Sequence, residues 1–245
     1  MPFYAYCLSD EVTDRMIESM AGVAGAGAPQ LIQYGGIAAV VSRLEAERVG
    51  LTRENVFAHE RVVGRVLAHT TPLPFRFGTV VSASQLEGYM NSQREFLQAQ
   101  LARVRGSVEM SVKVVWNLEA VRREATARNA LKGSATEDES GAEPLGLGAA
   151  FMLAKRREIL GDEALRSEAS EIASWLNERL GDAVREMEVR VRPMEALVVA
   201  AAHMVLRERM EEYQERLRAA RLERPDLHFL TSGPWPPYSF IQARS

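Results

Sequence analysis

The chain has 245 residues, of which 47% are hydrophobic and 26% are charged, a composition typical of a soluble globular protein with a sizeable core. Its 30 basic and 33 acidic residues give a net charge of −3, whereas nucleic-acid-binding proteins carry a clustered basic surface. No window reaches the roughly 18 apolar residues of a membrane helix, and the first residues lack the pattern of a signal peptide. We therefore expect a cytoplasmic protein that binds neither nucleic acid nor a membrane.

The first half of the chain predicts alternating strands and helices. Apolar alternation and capping residues place strands at residues 3–8, 37–44, 75–81 and 108–116, and helices at residues 11–21, 53–69 and from Ser82 or Ser84 to about residue 104. The last strand is the clearest, because its apolar and polar side chains alternate with the period of two of a half-buried strand. This order is compatible with a ferredoxin-like α+β domain over residues 1–116 that carries an inserted connection.

Two features of this half suggest chemistry at first sight, but their context favours a structural role. The glycine-rich segment at residues 22–29 lacks the lysine of a phosphate-binding loop and follows a helix instead of a strand, so we predict a flexible loop. Cys7 is the single cysteine and lies in an apolar alternating run, which is typical of a small buried core residue and not of a nucleophile.

The second half predicts a second α+β domain, over residues 117–245, that repeats the broad plan of the first. Helices are predicted at residues 117–131, 148–180 and 207–222, strands at residues 184–191 and 197–206, and a mobile acidic loop at about residues 133–147. Two apolar seams have the narrow spacing of coiled coils and predict long antiparallel helices that pack on each other. The seams are Leu165, Ala169, Ile172 and Leu176, and Leu206, Met210, Tyr213 and Leu217.

The residues that usually carry catalysis or bind metals are scattered along the sequence. The four histidines include no pair with the four-residue spacing of a helical zinc site, and no GxSxG, Walker A or CxxC pattern occurs. We expect structural roles for these histidines, no cofactor, no metal and no enzyme activity. The histidines are His59, His69, His203 and His228.

Arg76 and the C-terminal tail are the features that indicate recognition of a partner. Arg76 lies between two phenylalanines in a predicted strand, so its side chain would point away from theirs and could bind a partner's carboxylate or form an internal ion pair. The tail, residues 233–240, has three prolines and three aromatic residues, which excludes a regular helix and favours an extended, polyproline-like path. Its rings either pack back onto the chain, the interpretation that we favour, or contact a partner.

Two sequence elements resemble the gas vesicle proteins of the F/L type, the GvpF/GvpL family. They are PLPFRFGT at residues 72–79 and the tail, GPWPPYSF at residues 233–240. His59, shortly before the first element, agrees with that family, and the resemblance covers nearly the whole chain. The chain departs from the family at Phe75 and Ser111, where the family more often has leucine and glycine.

This resemblance implies an accessory or structural protein of the gas vesicle, a gas-filled protein shell used for buoyancy. It implies that the chain binds the small hydrophobic wall subunit and other gas vesicle accessory proteins, and that it helps to nucleate or build the shell. The alternative is a small-molecule enzyme or effector-binding protein with a ferredoxin-like α+β fold. A deep pocket with converging polar groups around His59 or His203 would favour this alternative, and a flat apolar groove would favour assembly. The residues expected to contact a partner are Arg76, Phe77, Trp235, Tyr238 and Phe240.

Overall fold

A computed structural model of the chain describes residues 1–46, 48–116, 167–190 and 197–241. The predicted helix at residues 117–131, the predicted mobile loop at about residues 133–147 and the first part of the helix predicted from residue 148 lie outside these residues. Contacts divide the chain into two units, which are described separately. Unit 1 is Met1–Glu109 with Pro234–Ser245, and unit 2 is Met110–Gly233.

This division differs from the predicted domain boundary at residue 116. The sequence analysis placed everything after that boundary in a second domain, tail included, whereas the segment from Pro234 onwards makes its contacts in unit 1. The reason is that a boundary drawn along the sequence follows chain order. It cannot assign to the first domain a segment that returns to it after the second domain is complete.

Unit 1 is built around an antiparallel sheet. The strand order is β2-β3-β1-β4, and β5 also pairs with β1 beyond the end of β4. The strands are β1 (Phe3–Ser9), β2 (Gln30–Tyr34), β3 (Ile37–Arg43), β4 (Leu73–Pro74) and β5 (Val80–Val81). The helices are α1 (Asp14–Ile17), α2 (Arg53–Leu67), α3 (Ala83–Ser92) and α4 (Arg94–Val104).

The core of unit 1 lies between the sheet and helix α2. Strand β1 is buried along nearly its whole length, and α2 contributes Val62, Val63 and Val66 to the same hydrophobic cluster. Helix α2 begins where the hydroxyl of Thr52 accepts the backbone N–H of Asn55, a capping bond that satisfies an otherwise unpaired donor. Cys7 is buried in this core, as predicted.

The predicted strand at residues 75–81 is wrong in its centre. The chain pairs with β1 at both ends of this segment, but between β4 and β5 it forms a turn in which the backbone N–H of Thr79 donates to the carbonyl of Arg76. Gly78 has φ +86°, the conformation that the third residue of a type II turn requires and that glycine adopts most readily. The turn moves Arg76 and Phe77 out of the sheet, so the strand alternation predicted for them does not apply.

Other elements differ from the prediction in length. Strand β2 was not predicted, because Gln30–Tyr34 is a half-buried edge strand without clear alternation. The helix predicted at residues 11–21 is the single turn α1, and the helix predicted up to residue 104 is divided at Gln93, whose backbone leaves the helical region.

Unit 2 contains a second sheet with the strand order β7-β8-β6-β9. The strands are β6 (Ser107–Trp116), β7 (Glu186–Arg190), β8 (Leu197–Leu206) and β9 (Leu227–Trp235), so β6 begins before the division between the units and β9 ends after it. The helices are α5, described over residues 167–180, and α6 (Met210–Glu223). Among the described residues, no helix combines the length and the apolar character needed to cross a bilayer.

The two sheets share one strand order. If the strands of each unit are counted along the chain, with β5 set aside, both sheets run second, third, first, fourth. This agreement is the structural form of the repeated plan that the sequence suggests for the two halves.

The two predicted seams contribute to the core of unit 2. Ala169, Ile172 and Leu176 of α5 lie in one hydrophobic cluster with Tyr213 and Leu217 of α6. The same cluster contains residues of strands β6, β8 and β9, so the seams bury apolar surface together with the sheet. Leu165 lies outside the described residues.

Leu206, which the second seam includes, is the last residue of strand β8, as the strand predicted at residues 197–206 has it. A 3-10 turn at Arg207–Arg209 separates it from α6. The seam grouped Leu206 with helix residues because it lies four residues before Met210.

The glycine-rich segment after α1, predicted to be a flexible loop, is held by hydrogen bonds from its backbone. The N–H of Val23 donates to the hydroxyl of Tyr6 at 3.1 Å, and the N–H of Ala24 donates to the side-chain oxygen of Asn55 at 2.8 Å. Gly22 is packed so closely that a Cβ atom there would lie 2.6 Å from the carbonyl oxygen of Gly27 and 2.8 Å from the hydroxyl of Tyr6. A small residue is therefore required at this position.

The substitution Gly22→Ala should destabilise the protein. The added methyl group overlaps backbone and buried side-chain atoms, and overpacking of this kind lowers the free energy of unfolding by about 1–3 kcal/mol. Urea denaturation followed by circular dichroism measures the loss. Gly27→Ala is the matched control in the same loop, since the nearest atom to a Cβ at Gly27 is 3.9 Å away. Equal stability of the two variants would contradict the close packing at Gly22.

Candidate functional site: the Arg76 turn, its groove and the C-terminal tail

An aromatic cluster lies under the Arg76 turn in unit 1. Tyr4 and Tyr6 are two residues apart on β1, and although the strand register shifts at Tyr6, both rings contact His59 of helix α2. The ring of His59 on α2 stacks on Tyr6 with 5.6 Å between ring centroids and meets Tyr4 edge-on at 5.7 Å. Phe77 of the turn closes the cluster, 5.9 Å from the ring of His59. Edge-on and stacked rings at these distances stabilise one another beyond simple burial.

A continuous set of hydrogen bonds runs through this cluster. The backbone N–H of Gly78 donates to the hydroxyl oxygen of Tyr4 at 3.2 Å, and that hydroxyl lies 2.9 Å from Nδ1 of His59. On the other side of the imidazole, Nε2 lies 3.4 Å from the hydroxyl of Tyr238, which donates to Glu60 at 3.1 Å. Every donor finds an acceptor when Tyr4 donates to Nδ1 and Nε2 carries the proton. The uncharged ring of His59 thus connects strand β1 and the tail through hydrogen bonds.

Burial fixes the charge state of this cluster. Desolvation lowers the pKa of His59 to about 4, against a hydrogen bond to the backbone of Phe75 that acts in the other direction. Desolvation also raises the pKa of Tyr4 to about 12 and raises the pKa of Tyr238 and of Glu60. At neutral pH the imidazole and both phenols are uncharged, which suits a structural hydrogen-bond network.

The C-terminal tail binds to unit 1 through its backbone as well as its side chains. The backbone N–H and the hydroxyl of Ser239 both donate to the carboxylate of Glu109, at 2.7 and 2.8 Å. The guanidinium of Arg103 donates to the carbonyl of Phe240, whose side chain is only 4% exposed. Pro236 and Pro237 are buried as well. The favoured interpretation of the tail, packing against its own chain, is what Tyr238 and Phe240 do.

Arg76, one of the predicted partner-binding residues, is exposed at the first position of the turn. Among the described residues no acidic side chain pairs with it, so the internal ion pair considered for it does not form there. Trp235, at the end of β9, is 41% exposed. Phe77 and Tyr238 both contact His59, and Phe240 lies buried beside Arg103, so the structure brings these three into the interior and leaves Arg76 and Trp235 at the surface.

An apolar groove beside the turn was not predicted. It has a volume of about 280 Å³ and is lined by Phe75, Val81, Gln85, Leu86 and Tyr89. The sequence analysis offered Tyr89 or Met90 as a core position of the helix, and the structure buries Met90 and leaves Tyr89 42% exposed. The ring of Tyr89 lies 6.4 Å from that of Phe75, so two neighbouring aromatic rings form part of the lining of the groove. One indication of the groove was present in the sequence. Leu86 and Tyr89 are three residues apart, a spacing that places both on one face of a helix, and they follow Phe75 closely along the chain.

Unit 2 contains a second buried tyrosine–histidine pair. Nδ1 of His203 on β8 lies 2.9 Å from the hydroxyl of Tyr213 on α6, and burial lowers the pKa of His203 to about 4. His69 and His228 are exposed. In the part of the chain that the structure describes, no three potential metal ligands of the histidine, cysteine or carboxylate type lie together.

Acid should weaken unit 1 through His59. The unfolded chain binds a proton at this histidine near its usual pKa of about 6.5, whereas the folded chain resists protonation until about pH 4. The contribution of His59 to the free energy of unfolding is therefore complete above about pH 6.5 and is lost as the pH falls towards 4, by up to about 1.4 kcal/mol per pH unit. Urea denaturation of the protein and of His59→Gln across this range should give a shallower pH dependence in the variant.

Carboxylates titrate in both proteins, so the difference between the two slopes isolates His59. His203→Gln is the matched variant in unit 2, because His203 has the same burial and the same lowered pKa. Identical slopes for the protein and the His59 variant would show that His59 is not held neutral by the fold.

Comparison with known proteins agrees with this architecture along the whole chain. The gas vesicle protein F1 of Halobacterium salinarum is 25% identical over 225 residues, which cover 90% of this chain and 84% of that protein. The crystal structure of the gas vesicle protein GvpF from Anabaena sp. PCC7120 superposes with a TM-score of 0.74 at 18% identity, covering 100% of this chain and 97% of that chain. The structure of GvpF from Microcystis aeruginosa gives a TM-score of 0.73 at 18% identity and covers 99% of each chain.

These two superpositions show that the chain shares the mixed α+β fold of the two GvpF structures. The model of the family described as gas vesicle synthesis protein GvpL/GvpF matches residues 2–242. Since that match spans nearly the entire sequence, the chain belongs to the GvpL/GvpF family of gas vesicle proteins.

Proposed function

We propose that this protein acts in the cytoplasm as a gas vesicle accessory protein that binds the hydrophobic wall subunit and helps to nucleate or build the shell. Membership of the family supports the gas vesicle context. The observation that carries the binding step is the exposed apolar groove of unit 1, lined by Phe75, Val81, Gln85, Leu86 and Tyr89. We call it the Phe75–Tyr89 groove.

The chemistry of the groove suits apolar side chains of a polypeptide. Its lining is hydrophobic apart from the amide of Gln85 and the hydroxyl of Tyr89. Its volume of about 280 Å³ lies just below the roughly 300–1,000 Å³ usual for small-molecule sites, which also have a few converging polar groups. An apolar groove with an exposed aromatic wall instead favours a hydrophobic segment of another protein.

Arg76 provides a polar rim for the same surface. It is exposed, and it directly follows Phe75, which lines the groove. A guanidinium in this position is available for a carboxylate next to the apolar segment that the groove receives. A wall subunit with a large apolar face aggregates unless that face is covered before incorporation, and a binder of this kind covers it.

Of the other predicted contact residues, three have internal partners and one is exposed at the surface. Tyr238, Phe240 and Phe77 have internal partners, so in this proposal they hold the groove-bearing unit together, while Trp235 offers a second exposed aromatic side chain. A ferredoxin-like classification of unit 1 belongs to the same proposal and is supported by its antiparallel strand order.

A catalytic or effector-binding role has weaker support. The imidazole of His59 has protein partners on both nitrogens, and the imidazole of His203 is fully buried. Neither presents a polar group to a pocket, as a general acid or base must. We therefore propose a protein without enzyme activity.

Tyr89→Ala should weaken capture of the wall subunit. Truncation of an aromatic residue in a binding groove removes about 1.4 kcal/mol or more, which corresponds to about tenfold weaker binding. The measurement is co-purification of the wall subunit with tagged protein from cells that express both, followed by titration of the purified components. Arg76→Ala and Trp235→Ala test the rim and the second aromatic side chain in the same assay.

Phe57→Ala is the matched control. Phe57 is also an aromatic residue, 56% exposed on α2, and does not line the groove. Capture should persist in this variant. Equal capture by the Tyr89 and Phe57 variants, with unchanged circular dichroism, would remove the groove from the proposal.

A further inference from the structure

The C-terminal tail is attached to one unit and held by the other. Strand β9 belongs to unit 2 as far as Gly233, and the chain from Pro234 onwards belongs to unit 1 by its contacts. The contacts of the tail therefore form a binding site for a short linear segment. Nothing in that site depends on the segment being joined to the same molecule.

The site recognises the tail as a peptide-binding site recognises its ligand. Three consecutive residues, Tyr238, Ser239 and Phe240, bond to unit 1 through a hydroxyl, a backbone N–H and a carbonyl. Glu109, which accepts bonds from both the backbone N–H and the hydroxyl of Ser239, is itself only 7% exposed, and Phe240 is also buried in this unit. Backbone bonds that give affinity, together with buried side chains that give specificity, are features of peptide recognition, and the residues recognised here, Tyr238–Phe240, form a 3-10 turn.

The chain ahead of the tail is suited to a change of path. Gly233 has φ +123°, a conformation that residues with a Cβ rarely adopt, and it stands at the division between the units. Residues 230–235 are all exposed. Gly233 lies inside strand β9, so a change of backbone direction there breaks the pairing of the last residues of β9 with β6 but moves no buried apolar side chain ahead of Pro236. A connection outside the hydrophobic core is what exchange of a terminal element between identical chains needs.

We infer that the tail of one copy of this protein docks on unit 1 of a second copy, in place of that copy's own tail. The two arrangements make identical contacts, so their balance is set by concentration. Attachment to its own chain gives the tail an effective concentration of about millimolar or more at its own site, which favours the closed monomer in dilute solution. Exchange takes over where copies are crowded to a comparable level or where the closed arrangement is weakened. This inference does not depend on the proposed binding of the wall subunit.

Binding of an added tail peptide is the first test. The probe is a fluorescent peptide of residues 232–241, and the protein is the full chain with Ser239→Pro and Phe240→Ala, which removes a backbone donor and the buried ring from its own tail. The peptide should bind this tail variant saturably and bind the unaltered protein about tenfold or more weakly, because the intact tail competes. Glu109→Gln in the tail variant should weaken binding again.

Exchange between whole chains is the second test. The tail variant keeps its site, and a chain with Glu109→Gln keeps its tail, so a mixture of the two should form a 1:1 heterodimer in native mass spectrometry that neither protein forms alone. Circular dichroism and thermal unfolding establish that both variants are folded. Equal peptide binding by the tail variant and the unaltered protein, no binding by a folded tail variant, or absence of the heterodimer would each overturn the inference.

Discussion

A neutral imidazole enclosed by aromatic rings is the constraint on which unit 1 depends. His59 joins four segments that are distant in sequence: strand β1, helix α2, the Arg76 turn and the C-terminal tail. Because the ring is fully buried, each of its nitrogens needs a partner, and an unmet partner would destabilise the fold by about 1–3 kcal/mol. The turn that presents Arg76, the wall of the groove that begins at Phe75 and the seating of the tail are consequently coupled through one side chain.

Unit 2 contains a similar tyrosine–histidine pair with the two residues on exchanged elements. In unit 1 the tyrosine is on a strand and the histidine on a helix, whereas in unit 2 His203 is on strand β8 and Tyr213 on helix α6. Both pairs have the same oxygen-to-nitrogen distance of 2.9 Å, and burial lowers the pKa of both histidines. The equal strand order of the two sheets places these pairs in related frameworks. Each unit thus uses one uncharged polar contact to fix the position of a helix against a sheet.

Local sequence pattern was sufficient for the elements whose burial alternates strongly. The strand around Val112, the buried strand containing Cys7 and helix α2 all follow from apolar periodicity and a capping residue, since these determine which face is covered. Strand β2 and the turn at Gly78 did not follow from the pattern. The first is a half-buried edge strand. The second depends on the positive φ of Gly78, which the apolar and aromatic residues around it do not indicate.

The candidate site was predicted as a set of residues but not as an arrangement. The tail was correctly expected to pack on its own chain, yet its partners, Glu60 and His59, lie 178 and 179 residues away from Tyr238. A local pattern contains no information on a contact of that separation. The groove was missed for a related reason, because Phe75 and Tyr89 lie on opposite sides, along the chain, of the unpredicted turn between β4 and β5, and their rings come together only in the folded protein.

The discontinuous composition of unit 1 sets an order of events during protein synthesis. The ribosome produces the first 109 residues, then all of unit 2, and only then the segment that covers the imidazole and saturates Glu109. Vectorial folding from the N-terminus therefore pauses with unit 1 unfinished. A nascent or prematurely terminated chain keeps that surface bare until translation has passed residue 240.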